Sequence, residues 1–134
     1  MQTGQATQPC PCGRLGANGK SLTLSQCCGP YLAGAPAPDA HALMRSRYSA
    51  FVLGDEKYLM QSWHPRTRPR EVKPEPGTKW LGLEVRSHKQ LDAINAEVEF
   101  VARYRVAGRA VRLHERSRFL KEESRWYYLD GDIL

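Results

Sequence analysis

Beyond Cys28 this 134-residue chain has no cysteine, and nowhere does it have an apolar run long enough to span a bilayer. The first absence excludes a domain stapled across its elements by disulfides. The second excludes a membrane-spanning helix within these residues, so no membrane partner is expected. Nothing in the opening Met1-Gln2-Thr3-Gly4-Gln5-Ala6-Thr7-Gln8-Pro9 supplies the basic start and apolar core of a secretory signal, and a reducing, cytoplasmic location is expected. Internal repeats are lacking too. Acidic residues are in modest deficit, 14 against 20 Lys and Arg for a formal charge of +6. An excess of that size suits a solvated surface as well as an anionic partner.

The four cysteines that exist are confined to Cys10-Pro11-Cys12 and Cys27-Cys28-Gly29, separated by fourteen residues. Two tight pairs at the ends of one loop suit a single tetrahedral ion, and soft thiolates make zinc the default guest. Redox pairs, unliganded thiols and a vicinal Cys27–Cys28 disulfide are the alternatives. Residues 1–34 form an arm with little apolar surface to bury, so an ion would supply the ordering free energy that packing cannot. Residues 35–134 are long enough for one domain with its own core.

Ala33 to Pro38 reads as a linker, and Asp39 is placed to cap a helix whose stripe carries Met44, Arg47, Tyr48, Phe51 and Val52. Gly54 and Asp55 end that helix and cap a second, through Tyr58, Leu59 and Trp63, which stops at His64-Pro65. Arg66 to Gly77 is a loop. Alternation then predicts strands over 78–87, 94–106, 110–121 and 126–129, broken at Ala107-Gly108 and Glu122-Glu123-Ser124. The short gaps require antiparallel neighbours. Helices followed by a meander describe an α+β domain with the helices on one face of a four-stranded sheet.

The third strand holds a conflict. Val111, Leu113 and Phe119 set its inward face, and the same period puts Glu115 and Ser117 there too. A carboxylate aimed at the core needs a partner, a wet cavity or a proton. Arg47, on the flank of the helix stripe, is the nominated partner. Such a pair either fixes how helix docks on sheet or serves a ligand pocket lined by Tyr48, Trp63 and Phe100. His64 could be a ligand or base, or a residue capping a helix end. His114 is expected to be exposed on the outer face. Trp126 and Tyr128 should share one face of the last strand, with Tyr127 on the other. The stretch His64 to Arg70 is the densest basic segment, and no nucleic-acid reading motif accompanies it.

Taken in order, CPCGRL at Cys10 to Leu15, CCGPYLAG at Cys27 to Gly34, LMRSRYSAFV at Leu43 to Val52, YLMQSWHP at Tyr58 to Pro65, ERSRFLKE and WYYLDG resemble the YchJ-like family of uncharacterised bacterial proteins. The resemblance implies a zinc-binding cysteine segment similar to the SEC-C motif, with Cys10, Cys12, Cys27 and Cys28 as ligands. It also implies a nuclear-transport-factor-2-like domain, a curved antiparallel sheet wrapped by helices into a cone. It implies no catalytic residue. Against the family pattern, Gly16-Ala17-Asn18-Gly19 looks like an insertion at a loop tip, and the second cysteine motif of many relatives does not follow the sheet.

Three functions are compatible with this reading. The first is docking on a protein through one structural zinc knob. The second is an enzyme or small-molecule binder using the cone cavity, with Arg47, Glu115 and His64 as its polar groups and no reaction identifiable. The third is nucleic-acid binding through the basic loop. The open sheet face could also serve a homodimer.

Overall fold

Backbone hydrogen bonds shape the first cysteine pair into a narrow ribbon. Cys10 donates its N–H to Leu22 O at 2.8 Å and Leu24 donates to Gln8 O at 2.9 Å, while Pro9 bridges Thr23 and Leu15 bridges Ser21. These contacts belong to a computed structural model that describes residues 7–134. The ribbon turns over at Gly16 to Lys20, where the Gly16 N–H reaches Lys20 O at 2.8 Å, so the inserted-looking residues do form a tip. A 3-10 turn, Leu24–Gln26, leads into the single-turn helix α1, Gly29–Leu32.

Helix α2, Ala40–Leu53, begins where the Asp39 carboxylate accepts the Ala42 N–H at 2.8 Å. It ends at Gly54, whose φ of 74° is the left-handed cap that a residue without Cβ adopts at no cost. Met44, Arg47 and Tyr48 are buried as expected, but Val52 is 37% exposed. The buried arc instead widens through Ala42, Leu43, Ser46, Ser49 and Ala50. Helix α2 is covered on several sides, and small residues let its neighbours approach.

Helix α3, Glu56–Gln61, opens with Asp55 accepting the Tyr58 N–H at 3.0 Å. It stops short of the expected Trp63. Pro65 disfavours helical geometry at His64, and the sheet offers better partners: His64 N–H donates to Tyr128 O and Tyr128 N–H to Ser62 O, both at 2.8 Å. Trp63 therefore bridges Tyr128 in parallel and is drawn onto the sheet.

Four strands follow: β1 Lys79–Gln90, β2 Asn95–Val106, β3 Arg109–Glu122 and β4 Arg125–Ile133. They pair antiparallel in the order β1-β2-β3-β4. The two tight turns fall at the expected breaks, with positive φ at Ala107 and Gly108 and again at Glu123 and Ser124, as two-residue hairpins demand. Strand β4 runs four residues beyond the expected 129, because Arg118 on β3 clamps Asp130 at 2.6 Å and Asp132 at 2.7 Å. Register shifts leave Leu81 and Arg86 of β1 and Leu129 of β4 without a partner and mark bulges, the device that curves a sheet.

Helix α2 lies across β1, β2 and β4, closing one face of the sheet. That face carries Val98, Phe100, Ala102, Phe119 and Trp126, all buried. Tyr128 packs against the same core as Trp126, in agreement with the alternation. Among the described residues no helix is long and apolar enough to cross a membrane.

Candidate functional site

Two places gather chemistry: the cysteine knob beside α2, and the interior of the cone. The knob assembles because the ribbon delivers Cys10 and Cys12 and the turn after Gln26 delivers Cys27 and Cys28. All four Sγ atoms lie within 4.8 Å of one another. Cys10, Cys12 and Cys28 are buried and Cys27 is half-buried.

Sγ separations are 3.7 Å for Cys10–Cys12, 3.5 Å for Cys12–Cys27 and 4.0 Å for Cys27–Cys28. A tetrahedron with metal–sulfur bonds of about 2.3 Å has edges of about 3.8 Å, so the spacing fits four thiolates around one ion. It is about twice the bonded S–S length, so no disulfide joins them in this arrangement; all four cysteines are free. Four thiolates this close cannot coexist without a cation. Hydrogen bonds from Cys12 and Cys28 hold the Cys10 thiol far below its usual range. Cys28 is raised through the same contacts with Cys10 and Cys12, and burial followed by the charge of Cys12 pushes Cys27 up to about 12. A dication would reverse this by attracting every sulfur at once.

The knob is fastened to α2 by residues the sequence reading passed over. Ser49 Oγ lies 3.5 Å from Cys10 Sγ, and Arg45 Nη1 donates to the Cys12 carbonyl at 2.9 Å. Arg45 Nε in turn donates to His41 Nε2 at 2.8 Å. His41, Arg45 and Ser49 recur every fourth residue. That polar stripe on a buried helix was the available signal for an arm docked there.

The second place is a cavity of about 320 Å³ between α2 and the inner face of the sheet. It brings together Arg47, Tyr48, Trp63, Phe100, Glu115 and Ser117, as expected of a pocket. His64 is not among its walls: the imidazole is 2.7 Å from Glu122 at the rim and packs edge-on to Tyr127. Inside the cavity the expected Arg47–Glu115 ion pair does not form. Arg47 Nη1 donates instead to Leu59 O at 2.9 Å and Ser62 Oγ at 2.6 Å. Its guanidinium lies 5.0 Å from the Trp63 ring centre and 4.5 Å from that of Tyr128. The last carbonyls of α3 carry partial negative charge and the two rings offer π faces, so this cation is held without a carboxylate. Burial still lowers the Arg47 pKa to about 10, which leaves it charged at neutral pH.

Glu115 is satisfied from its own sheet. Ser117 Oγ donates to Glu115 Oε2 at 2.6 Å and the Tyr128 hydroxyl does so at 3.4 Å. Room for the carboxylate comes from Gly131 on β4, where any Cβ would overlap Glu115 Oε2 and sit 2.9 Å from Glu115 Cδ. Gly131 and Tyr128 are thus parts of the site that sequence reasoning missed. The glycine lies beyond residue 129, where the last strand was expected to end, and only strand register sets it opposite Ser117.

His114, expected to be exposed, is part-buried and 2.8 Å from Glu99 on the outer face. In the basic loop, Arg66 and Arg70 face solvent, while Arg68 Nε donates to Trp63 O at 3.0 Å.

A family model described as the middle, nuclear-transport-factor-2-like domain of YchJ matches residues 39–131. The chain belongs to this YchJ-like family. A UPF0225 protein from Polaromonas naphthalenivorans is 62% identical over 133 residues, covering 94% of this chain and 98% of the relative. Another from Polaromonas sp. strain JS666 is 64% identical over 127 residues, covering 92% and 91%. Among solved structures, the solution structure of a SEC-C motif containing protein from Rhodopseudomonas palustris matches with TM-score 0.80 and 34% identity, over 94% of this chain and 98% of the other. A crystal structure of a SEC-C motif containing protein from Psychrobacter arcticus matches with TM-score 0.80 and 32% identity, over 97% and 85%. YchJ-like architecture therefore accounts for the cone, and SEC-C neighbours accompany the cysteine knob.

Proposed function

We propose that this chain is a protein-docking module whose cysteine segment, Cys10 to Cys28, is ordered by one structural zinc ion and carried by the cone of residues 35–134. The observation that supports this reading is the closed set of four sulfurs, three of them buried. Four thiolates fill a tetrahedral shell and leave no position for a water or substrate, so the ion's work is to shape its surroundings. What it shapes is the ribbon, which carries Leu15 with 58% of its surface exposed between Arg14 and Gly16. An apolar side chain at an ordered basic tip is suited to a partner protein. The ring of contacts from Arg45 and Ser49 makes the knob rigid with respect to the cone, which lowers the ordering cost of binding.

The experiment is proximity crosslinking in cells with wild type, Leu15→Asp and Cys10→Ser/Cys27→Ser. Both variants should lose the same crosslinked proteins, while circular dichroism shows the cone retained. Partners that persist in both would sink the docking reading.

The cavity supports a second reading, a small-molecule site built on Arg47 and Glu115. A volume of about 320 Å³, with eight aromatic side chains among its walls, falls at the lower end of the range for ligand pockets, roughly 300–1,000 Å³. Binding there would not require the knob.

A further inference from the structure

The cavity sets a cation and a carboxylate into one aromatic chamber without letting them touch. From this geometry we infer its ligand class: an uncharged, flat, ring-bearing molecule with a carboxamide-like edge, offering one hydrogen-bond acceptor and one donor side by side. The inference rests on the small-molecule reading of the cavity and names what that site takes.

Charge decides first. Arg47 and Glu115 both line the cavity, and they balance. At the mouth Lys73 is engaged by Glu71 at 3.6 Å and Glu75 lies beside it, so the entrance carries no net positive charge. An anionic ligand would meet Glu115 in a poorly solvated space, and a cationic one would meet Arg47, so either carries an uncompensated charge into the chamber. A position a ligand cation would favour, in the corner of two perpendicular rings, is already filled by the Arg47 guanidinium beside Trp63 and Tyr128.

Unused hydrogen-bonding capacity decides next. Among the described residues Arg47 uses only Nη1, on Leu59 O and Ser62 Oγ, and its Nε and Nη2 donors have no protein partner. Glu115 receives Ser117 and Tyr128 on Oε2, leaving Oε1 without a donor. A planar guanidinium with free donors asks for a carbonyl oxygen, and a free carboxylate oxygen asks for an N–H. A carboxamide, a lactam or a heteroaromatic ring with adjacent C=O and N–H supplies both from one edge. The remaining surface is met by Phe100, Trp80 and Phe119, whose faces and edges suit a flat ring.

The test uses three probes of one shape, benzamide, benzoate and benzylammonium, titrated into the full-length zinc-loaded protein and followed by indole and backbone N–H resonances. Benzamide should shift the Trp63 and Trp80 indoles and the Ser117 amide saturably, with an affinity at least ten-fold above either charged congener. In Glu115→Gln, which leaves Arg47 uncompensated, preference should pass to benzoate. If benzoate or benzylammonium equals or exceeds benzamide in the wild type, the ligand class is wrong while the small-molecule site stands. If no probe saturates, both are wrong. A benzamide preference unchanged in Glu115→Gln would overturn the assignment of the donor-accepting role to Glu115.

Discussion

Replacing Gly131 by alanine tests the cone interior with the least chemistry. On ordinary grounds the change should help, since removing a glycine from a strand narrows the unfolded ensemble and is worth about 0.4–1 kcal/mol. The structure reverses the sign. The new Cβ would overlap Glu115 Oε2, and it would lie 2.9 Å from Glu115 Cδ and 3.1 Å from the Arg116 carbonyl. The carboxylate must then swing off the Ser117 hydroxyl, 2.6 Å away, and off Tyr128. Losing one good hydrogen bond to a charged group costs about 1.5–3 kcal/mol, and crowding in a packed interior adds about 1 kcal/mol. Net destabilisation of about 2–3 kcal/mol is expected, a fall in Tm of roughly 6–12 °C for a chain of this size. The assay is urea unfolding of Gly131→Ala, Glu115→Ala and the double variant. In the Glu115→Ala background most of the penalty should vanish, giving a coupling energy of about 2 kcal/mol. A neutral Gly131→Ala, or a penalty undiminished without the carboxylate, would refute the argument that this glycine exists to seat Glu115.

The remaining predictions probe other parts of the molecule. Elemental analysis should find about one metal ion per chain, lost in Cys10→Ser/Cys27→Ser; on removal of the ion, hydrogen exchange at the Cys10 and Leu24 amides should rise steeply while β2 and β3 stay protected. His41 has its pKa lowered to about 4, by burial first and then by Arg45 and Arg14, with Asp39 opposing and His88 adding slightly. The unfolded chain therefore takes up this proton near pH 6.5 and the folded chain only near 4, so stability falls as pH drops through that window. His41→Gln should flatten this part of the pH dependence, measured as Tm between pH 4.5 and 7; parallel profiles for the two proteins would contradict it. Arg47→Met should cost about 3 kcal/mol in thermal unfolding, because the Ser62 and Leu59 oxygens lose a charged donor and two ring faces lose their cation. Arg47→Lys should recover little of it, since an ammonium cannot stack and fork at once.

Local grammar was legible wherever a residue acts through its own neighbours in the chain. Asp39, Gly54 and Asp55 punctuate the helices because capping spans only three or four residues. Alternation aimed Glu115 and Ser117 inward because strand period holds whatever lies opposite. The two cysteine pairs announced a metal-sized cluster because their confinement to one loop leaves few other geometries. These were consequences of sequence alone.

What lies across the fold was decided by tertiary structure. Arg47 and Glu115 share a cavity, as the sequence suggested, yet each takes other partners: the carbonyl end of α3 outbids Glu115 for the guanidinium, and Ser117 with Tyr128 holds the carboxylate. His64 went to Glu122 rather than the cavity because Pro65 and the β4 backbone pulled its segment out of the helix. Strand β4 outran its apolar residues because Arg118, remote in the chain, pays for Asp130 and Asp132. Gly131 acquired its role only when register set it across from Ser117. Spacing along a chain determines which way a side chain points, but the partner it finds depends on which element arrives there, and that is settled by the packing of the whole.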